Sequence, residues 1–218
     1  MINLPNFDNS FEYENNFYLS CSSIRIGKLL AHYELFKMTK HLEGAIVECG
    51  IFKGASFTRF AMLRQLTQNN QRKILGFDTF QKFPPAKFEP DKVLREQFTQ
   101  SAGENSISVK QLKKILQYKG ISKNFELIKG DIIKTIPEYI KKNPKQKFSL
   151  INLDVDLFEP SIIILKNLFP KLQKNGILIL DDYGVFPGET KAVDEYFSDK
   201  NIKIKKFNFS TIHYIVKK

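Results

Sequence analysis

The sequence predicts a doubly wound α/β fold: a mostly parallel seven-stranded sheet with helices on both faces and a C-terminal antiparallel hairpin. Three observations predict it. Short apolar runs alternate with segments of helical period along most of the chain. Several of those runs close on glycine or acidic residues, as strands do beneath a ligand crevice. The last two runs, 202–207 and 211–216, are separated only by a tight polar turn near Asn208 to Ser210.

Taken in order, residues 1–23 form a polar leader. Residues 24–40 carry Ile26, Leu29, Leu30, Tyr33 and Phe36 at helical spacing and predict a helix packed on the sheet. Strands follow at 45–49, 73–77, 125–128, 148–153 and 177–180, and helices at 56–68, 109–119, 133–142, 161–172 and 189–197. Residues 81–108 break this rhythm. The stretch holds Pro84, Pro85 and Pro90, is longer than a connector needs to be, and reads as a functional lid. A length of 218 residues suits a single domain, 1–218, with room for such an insertion.

Composition narrows the function. No apolar stretch approaches the length of a membrane span, and the polar start lacks the layout of a signal peptide, so a cytoplasmic protein is expected. Cys21 and Cys49 are too few for a disulfide framework or a thiolate metal cluster. His32, His41 and His213 show no metal-ligand spacing. The net charge of +11 favours an anionic substrate, but the lysines are spread over solvated helix faces and turns without a basic-aromatic groove. Nucleic acid is therefore not the expected partner.

The most informative stretch is 148–183. SLINLDVD closes on Asp154 and Asp156, and GILILDD closes on Asp181 and Asp182. Four carboxylates just past two buried strands repel one another unless a cation sits among them, and a metal ion is the simplest that fits. Helix capping explains one or two of these acids but not the whole set. Upstream, VECGIFKGAS brackets a strand-to-helix turn with Gly50 and Gly54, next to Glu48 and Ser56. Glycines there permit close backbone approach to a ligand. The spacing differs from Gly-x-Gly-x-x-Gly, so a dinucleotide reading loses its main support. Asp78 ends the second strand, where a carboxylate accepts from ribose hydroxyls. Asp131 ends the third, where it would face an adenine edge. Each has an alternative as a loop residue or helix cap, yet three successive strand ends fit one nucleoside lying across the sheet.

These segments, VECGIFKGAS, GFDTFQKFP, KGDIIKTIP and above all LDVDLFEPS with GILILDDYGVFPGETKAVDEYF, resemble the macrocin O-methyltransferase family of sugar methyltransferases. The resemblance implies a class I methyltransferase fold, S-adenosylmethionine as methyl donor, a divalent metal, usually magnesium, and a homo-oligomer. It places the metal ligands on Asp154, Asp181 and Asp182 and the general base on Asp156. Cofactor contacts fall on Glu48, Gly50, Ser56, Asp78, Thr79, Asp131 and Asp154. The leader and residues 81–108, where the family's substrate lids lie, match poorly.

The chemistry suits this set. A sugar hydroxyl is a poor nucleophile. An all-oxygen site suits a hard divalent cation that lowers the hydroxyl's pKa, with Asp156 taking the proton. The expected acceptor is a sugar hydroxyl of a nucleotide-linked (dTDP) deoxysugar or glycosylated metabolite. A catechol-type methyltransferase and a basic RNA-modifying enzyme are the alternatives. Glu159 reads as a cap for the helix after Pro160, Phe80 and Tyr183 as packing, His32 and His213 as structural, and Arg59 and Arg64 as a solvated helix face.

Overall fold

The computed structural model describes residues 2–218. Seven strands form one sheet: β1 (Ala45–Cys49), β2 (Ile74–Asp78), β3 (Phe125–Lys129), β4 (Phe148–Leu153), β5 (Leu172–Leu180), β6 (Lys205–Lys206) and β7 (His213–Val216). Their order is β3-β2-β1-β4-β5-β7-β6, parallel from β3 to β5 and antiparallel for β7 and β6. The order reverses between β1 and β4, and a crevice opens outside the carboxyl ends of strands at such a switch point.

Alternate residues of the central strands face opposite layers. Val47, Leu75, Phe77, Ile151 and Leu178 pack with Ile136 of α6 (Ile132–Lys142), Leu165 of α7 (Phe158–Leu168) and Val193 of α8 (Pro187–Phe197). Ile46, Ile74, Leu150 and Ile179 pack with Leu35 and Phe36 of α2 (Ser23–Met38), Phe57 and Phe60 of α3 (Ala55–Leu66), and Leu112 of α5 (Val109–Tyr118). Burial on both faces explains why these strands read as continuous apolar runs. Helix α5 starts in a capping box between Ser108 and Gln111, and α6 on the side chain of Asp131.

Several expectations need correction. Residues 81–108 carry a helix: α4 spans Glu89–Ala102, opened by Pro90 in its first turn, a position that suits proline's fixed φ. The leader carries a helix, α1 (Ser10–Ser20), with no buried residue. The helix expected from 161 begins at Phe158 with Leu157 as its N-cap, so Glu159 lies in the first turn and is not the cap. Its acidic charge there still complements the helix dipole. That helix gives way by 168 to a short 3₁₀ turn at Phe169–Lys171, and β5 starts at Leu172, ahead of the expected 177. Arg64 is buried, not solvated, and donates to the carbonyls of Arg72, Lys123 and Asn124.

Candidate active site

The crevice is floored by a close crossing of two strand ends. Gly50 follows β1 at φ +89°, and a Cβ placed on it would lie 1.6 Å from the carbonyl oxygen of Asp154. The close approach expected of this glycine is therefore met by the chain itself. Asp154 N donates to Cys49 O at 3.0 Å and Gly50 N to Phe77 O at 2.9 Å, which ties β2, β1 and β4 together just below the acids.

Above this floor, Asp154, Asp181 and Asp182 each offer a carboxylate oxygen, all within 4.8 Å of one another. The three predicted ligands thus converge. Asp156 follows in the left-handed backbone region, at φ +61°, with its carboxyl against that of Asp182. Its carbonyl accepts from Glu189 N at 3.1 Å, while Glu189 Oε1 accepts from Asp182 N at 3.0 Å. Glu189 is fully buried and joins the two acidic loops, a role its place in a helical pattern did not reveal.

Two residues of α2 complete the cluster, and spacing alone could not place them there. Lys28 Nζ donates to Asp181 Oδ2, and His32, one turn on, lies with Nε2 3.5 Å from Asp181 Oδ1. Arg59 of α3 reaches His32 Nδ1 at 3.0 Å, so it faces the site's underside, in place of the solvated face expected. Burial pushes His32 down toward the neutral form despite Asp181. Burial opposes the charge on Lys28 as well, yet Asp154, Asp181 and Asp182 together raise it well above an ordinary lysine. In return, Asp181 stays well below the carboxylate range although burial alone would lift it, because Lys28 and His32 stand beside it.

The other acids are pushed up. Burial first and Asp181 second raise Asp154. Burial and then Asp156 raise Asp182, and burial and then Asp182 raise Glu189. Asp156 is pushed up to about 7 by burial and by Asp154. One ammonium does not balance these acids. Asp181 Oδ1, Asp182 Oδ2 and Glu189 Oε2 are buried without a hydrogen-bond partner. Carboxyl oxygens converging at the strand ends, those of Asp181 and Asp182 among them without a protein partner, fit a hard divalent cation.

The predicted cofactor residues divide. Glu48 and Ser56 meet through a 2.5 Å hydrogen bond, Ser56 Oγ to Glu48 Oε1, and burial and then Asp154 raise the Glu48 carboxyl. Glu48 is level with Asn152 across the β1–β4 pairing, and Glu48 Oε2 and both amide atoms of Asn152 have no protein partner. Asp78, the expected ribose ligand, is already engaged. Oδ2 accepts from Ile51 N and Phe52 N at 2.8 and 3.1 Å, and Oδ1 from Phe80 N and Ser106 Oγ at 2.5 and 3.0 Å. A carboxylate has about four acceptor positions, so these donors fill it, and Asp78 acts here to lock the glycine turn to the insertion. Thr79 Oγ1 is likewise used within its own turn, donating to Lys82 O at 3.2 Å. Asp131 Oδ1 accepts from Ile133 N at 3.0 Å and caps α6. Phe80 is buried, and Tyr183 packs edge-on to His213, as expected of packing residues.

The insertion is fastened to the site by Asp91 of α4. Its carboxylate accepts from Gly188 N at 2.7 Å and Phe158 N at 3.1 Å, at the starts of α8 and α7. A Cβ at residue 188 would lie 2.0 Å from Asp91 Oδ2, so glycine is required there. Helix α4 therefore grips the two elements that follow the acidic loops.

Comparison with known proteins agrees with this architecture. The family model described as macrocin-O-methyltransferase (TylF) matches residues 24–214. The chain belongs to the macrocin O-methyltransferase family. Curated relatives include the 8-demethyl-8-(2,3-dimethoxy-α-L-rhamnosyl)-tetracenomycin-C 4'-O-methyltransferase of Streptomyces olivaceus, 24% identical over 147 residues, which cover 65% of this chain and 54% of that protein. The demethyldecarbamoylnovobiocin O-methyltransferase of Streptomyces niveus is 23% identical over 165 residues, 72% of this chain and 59% of that protein. The chain thus spans little more than half the length of these relatives. Among solved structures, the calicheamicin methyltransferase CalS11 superposes with a TM-score of 0.77 at 25% identity, covering 95% of this chain and 85% of that one. The O-methyltransferase NovP, at 20% identity and a TM-score of 0.76 over 88% of this chain and 80% of that one, shares the family's fold. Among the described residues, no helix is long and apolar enough to cross a membrane.

Proposed function

We propose that this protein is an O-methyltransferase that moves the methyl group of S-adenosylmethionine to a sugar hydroxyl, with magnesium or another divalent cation held by Asp154, Asp181 and Asp182. The acceptor is a nucleotide-linked (dTDP) deoxysugar or a glycosylated metabolite. The observation that carries this reading is the convergence of those three carboxylates within 4.8 Å at the ends of β4 and β5, in a chain of this family. Relatives named for O-methylation of a rhamnosyl-bearing tetracenomycin and of a novobiocin precursor support a small glycosylated acceptor.

In the transfer, the acceptor oxygen forms a bond to the methyl carbon as the carbon–sulfur bond breaks and sulfur keeps the electron pair. A bound divalent cation would lower the pKa of the acceptor hydroxyl. Asp156, held beside Asp182 by the Glu189 bridge, accepts the hydroxyl proton. The Gly50–Gly54 turn, kept in shape by Asp78, lines the cofactor side. Glu48 and Ser56 support it from below, and Asp131 closes it at the end of β3. The fastened α4 wall excludes water and aligns oxygen, carbon and sulfur, and such alignment supplies much of the rate.

We also propose a homo-oligomer in the cytoplasm. Helix α1 buries nothing and exposes Phe11, Tyr18 and Leu19, and an isolated helix of 11 residues is marginal without packing. Light scattering would show a species larger than the monomer, reduced to monomer by Phe11→Asp with Leu19→Asp.

Calorimetric titration of S-adenosylmethionine, with magnesium and with chelator, tests the donor assignment. Binding in both conditions is expected, and no binding in either refutes it.

A further inference from the structure

We infer that Lys28 is a tethered counter-ion that occupies the acidic cluster in the metal-free protein and competes with a divalent cation for Asp154, Asp181 and Asp182. This rests on the metal reading proposed above. Lys28 reaches the cluster from α2, outside both acidic loops, and Nζ binds Asp181 Oδ2 directly. It lies close enough to Asp154 and Asp182 for both to act on its charge. The same three residues form the set whose oxygens lie within 4.8 Å of one another. An ammonium and a divalent cation sharing so small a desolvated space repel each other strongly.

The side chain can yield. Its flexible four-carbon stem carries a compact charge, and 22% of it is exposed, so it has a path outward. The imidazole of His32, from the same face of α2, stays beside Asp181, with Nε2 3.5 Å from Oδ1, when the ammonium leaves. Lys28 thus does two things: it keeps a cluster of mutually repelling acids folded without metal, and it weakens metal binding so that the cation must displace it.

Calorimetric Mg²⁺ titration and Mn²⁺ titration followed by electron paramagnetic resonance test this on wild-type protein, K28M, K28Q and K28R. The neutral variants are expected to bind either ion about tenfold more tightly or better, since an opposing charge has gone, while K28R stays near wild type. Thermal unfolding of metal-free K28Q should fall below wild type and recover on adding metal. Binding by K28Q and K28M alone supports the inference in its strongest form, with Lys28 excluding the metal. Equal affinity in wild type and both neutral variants overturns it and leaves the metal site standing. No binding by any of the four proteins refutes the metal site itself, and the competition with it.

Discussion

Gly50→Ala should damage both stability and catalysis, and the structure sets the size of each effect. The new methyl would start 1.6 Å from Asp154 O and 2.6 Å from Asp154 C. Restoring an ordinary contact of about 3.5 Å moves the end of β4 by ~2 Å. A non-glycine residue in the left-handed region adds about 1–2 kcal/mol of strain. The displaced strand end also weakens the Asp154 N to Cys49 O and Gly50 N to Phe77 O bonds, at about 1 kcal/mol each. The total, about 3–4 kcal/mol, is a large part of a typical folding free energy of about 5–15 kcal/mol. For a chain of this size it corresponds to a fall in Tm of roughly 10 °C. Asp154 heads the acidic cluster, so misplacing it should cost about a hundredfold or more in kcat/KM. Thermal unfolding and a methyl-transfer assay read the two effects. Gly103→Ala is the control, because Gly103 has φ +74° but no atom within 4 Å of where its Cβ would lie. It should show the strain alone, with activity kept. A Gly50→Ala variant with wild-type Tm and activity would refute the claim that this crossing sets the position of Asp154.

Three further outcomes follow from the site. Asp182→Asn should lower turnover by about a hundredfold or more, a few kcal/mol of transition-state stabilisation, while calorimetry shows S-adenosylmethionine binding largely retained; equal loss of both would make Asp182 structural. Asp91→Ala leaves Phe158 N and Gly188 N without their acceptor, so stability should fall by about 2–4 kcal/mol, with faster tryptic cleavage at Lys92 and Arg95; unchanged cleavage would show that α4 is held elsewhere. Metal-free protein should lose stability as pH rises. Glu48, Asp154, Asp156, Asp182 and Glu189 all have raised folded pKa values, so between the unfolded value of about 4 and their folded values the native state holds more protons. Their contribution is greatest below about pH 4 and declines as pH climbs through their folded values, which for Asp156 is about 7. Asp181, depressed by Lys28 and His32, has the opposite sign and loses its contribution only in acid. Tm should therefore be lower at pH 8 than at pH 5.5, and magnesium should raise it more at pH 8. A flat profile without metal would contradict the burial of these acids.

The acidic cluster was legible because its members close apolar runs, and a parallel strand's carboxyl end has one meaning in a doubly wound sheet. Glycine at position 50 was legible as a close approach, but not what approaches it, since that needs the β1–β4 pairing. Lys28 and His32 were not legible as site residues: their i, i+4 spacing puts them on one face of α2, and only the packing of that helix turns the face toward Asp181. Helix α4 escaped because its sole buried residue is the charged Asp91, its apolar face of Leu94 and Phe98 is only half-buried, and its prolines read as breakers although Pro90 opens the helix. Asp78 shows the converse. Its position fits a ribose ligand, but the neighbouring amides of Ile51, Phe52 and Phe80 reach it first.

The most direct test of the central claim is transfer of a labelled methyl group from S-adenosylmethionine to a panel of nucleotide sugars, run with magnesium, with chelator, and with Asp182→Asn. A methylated hydroxyl product formed with magnesium, and lost in the other two conditions, is the predicted result. Hydroxyl methylation that survives both the chelator and the substitution would contradict a catalytic role for the carboxylates at the ends of β4 and β5.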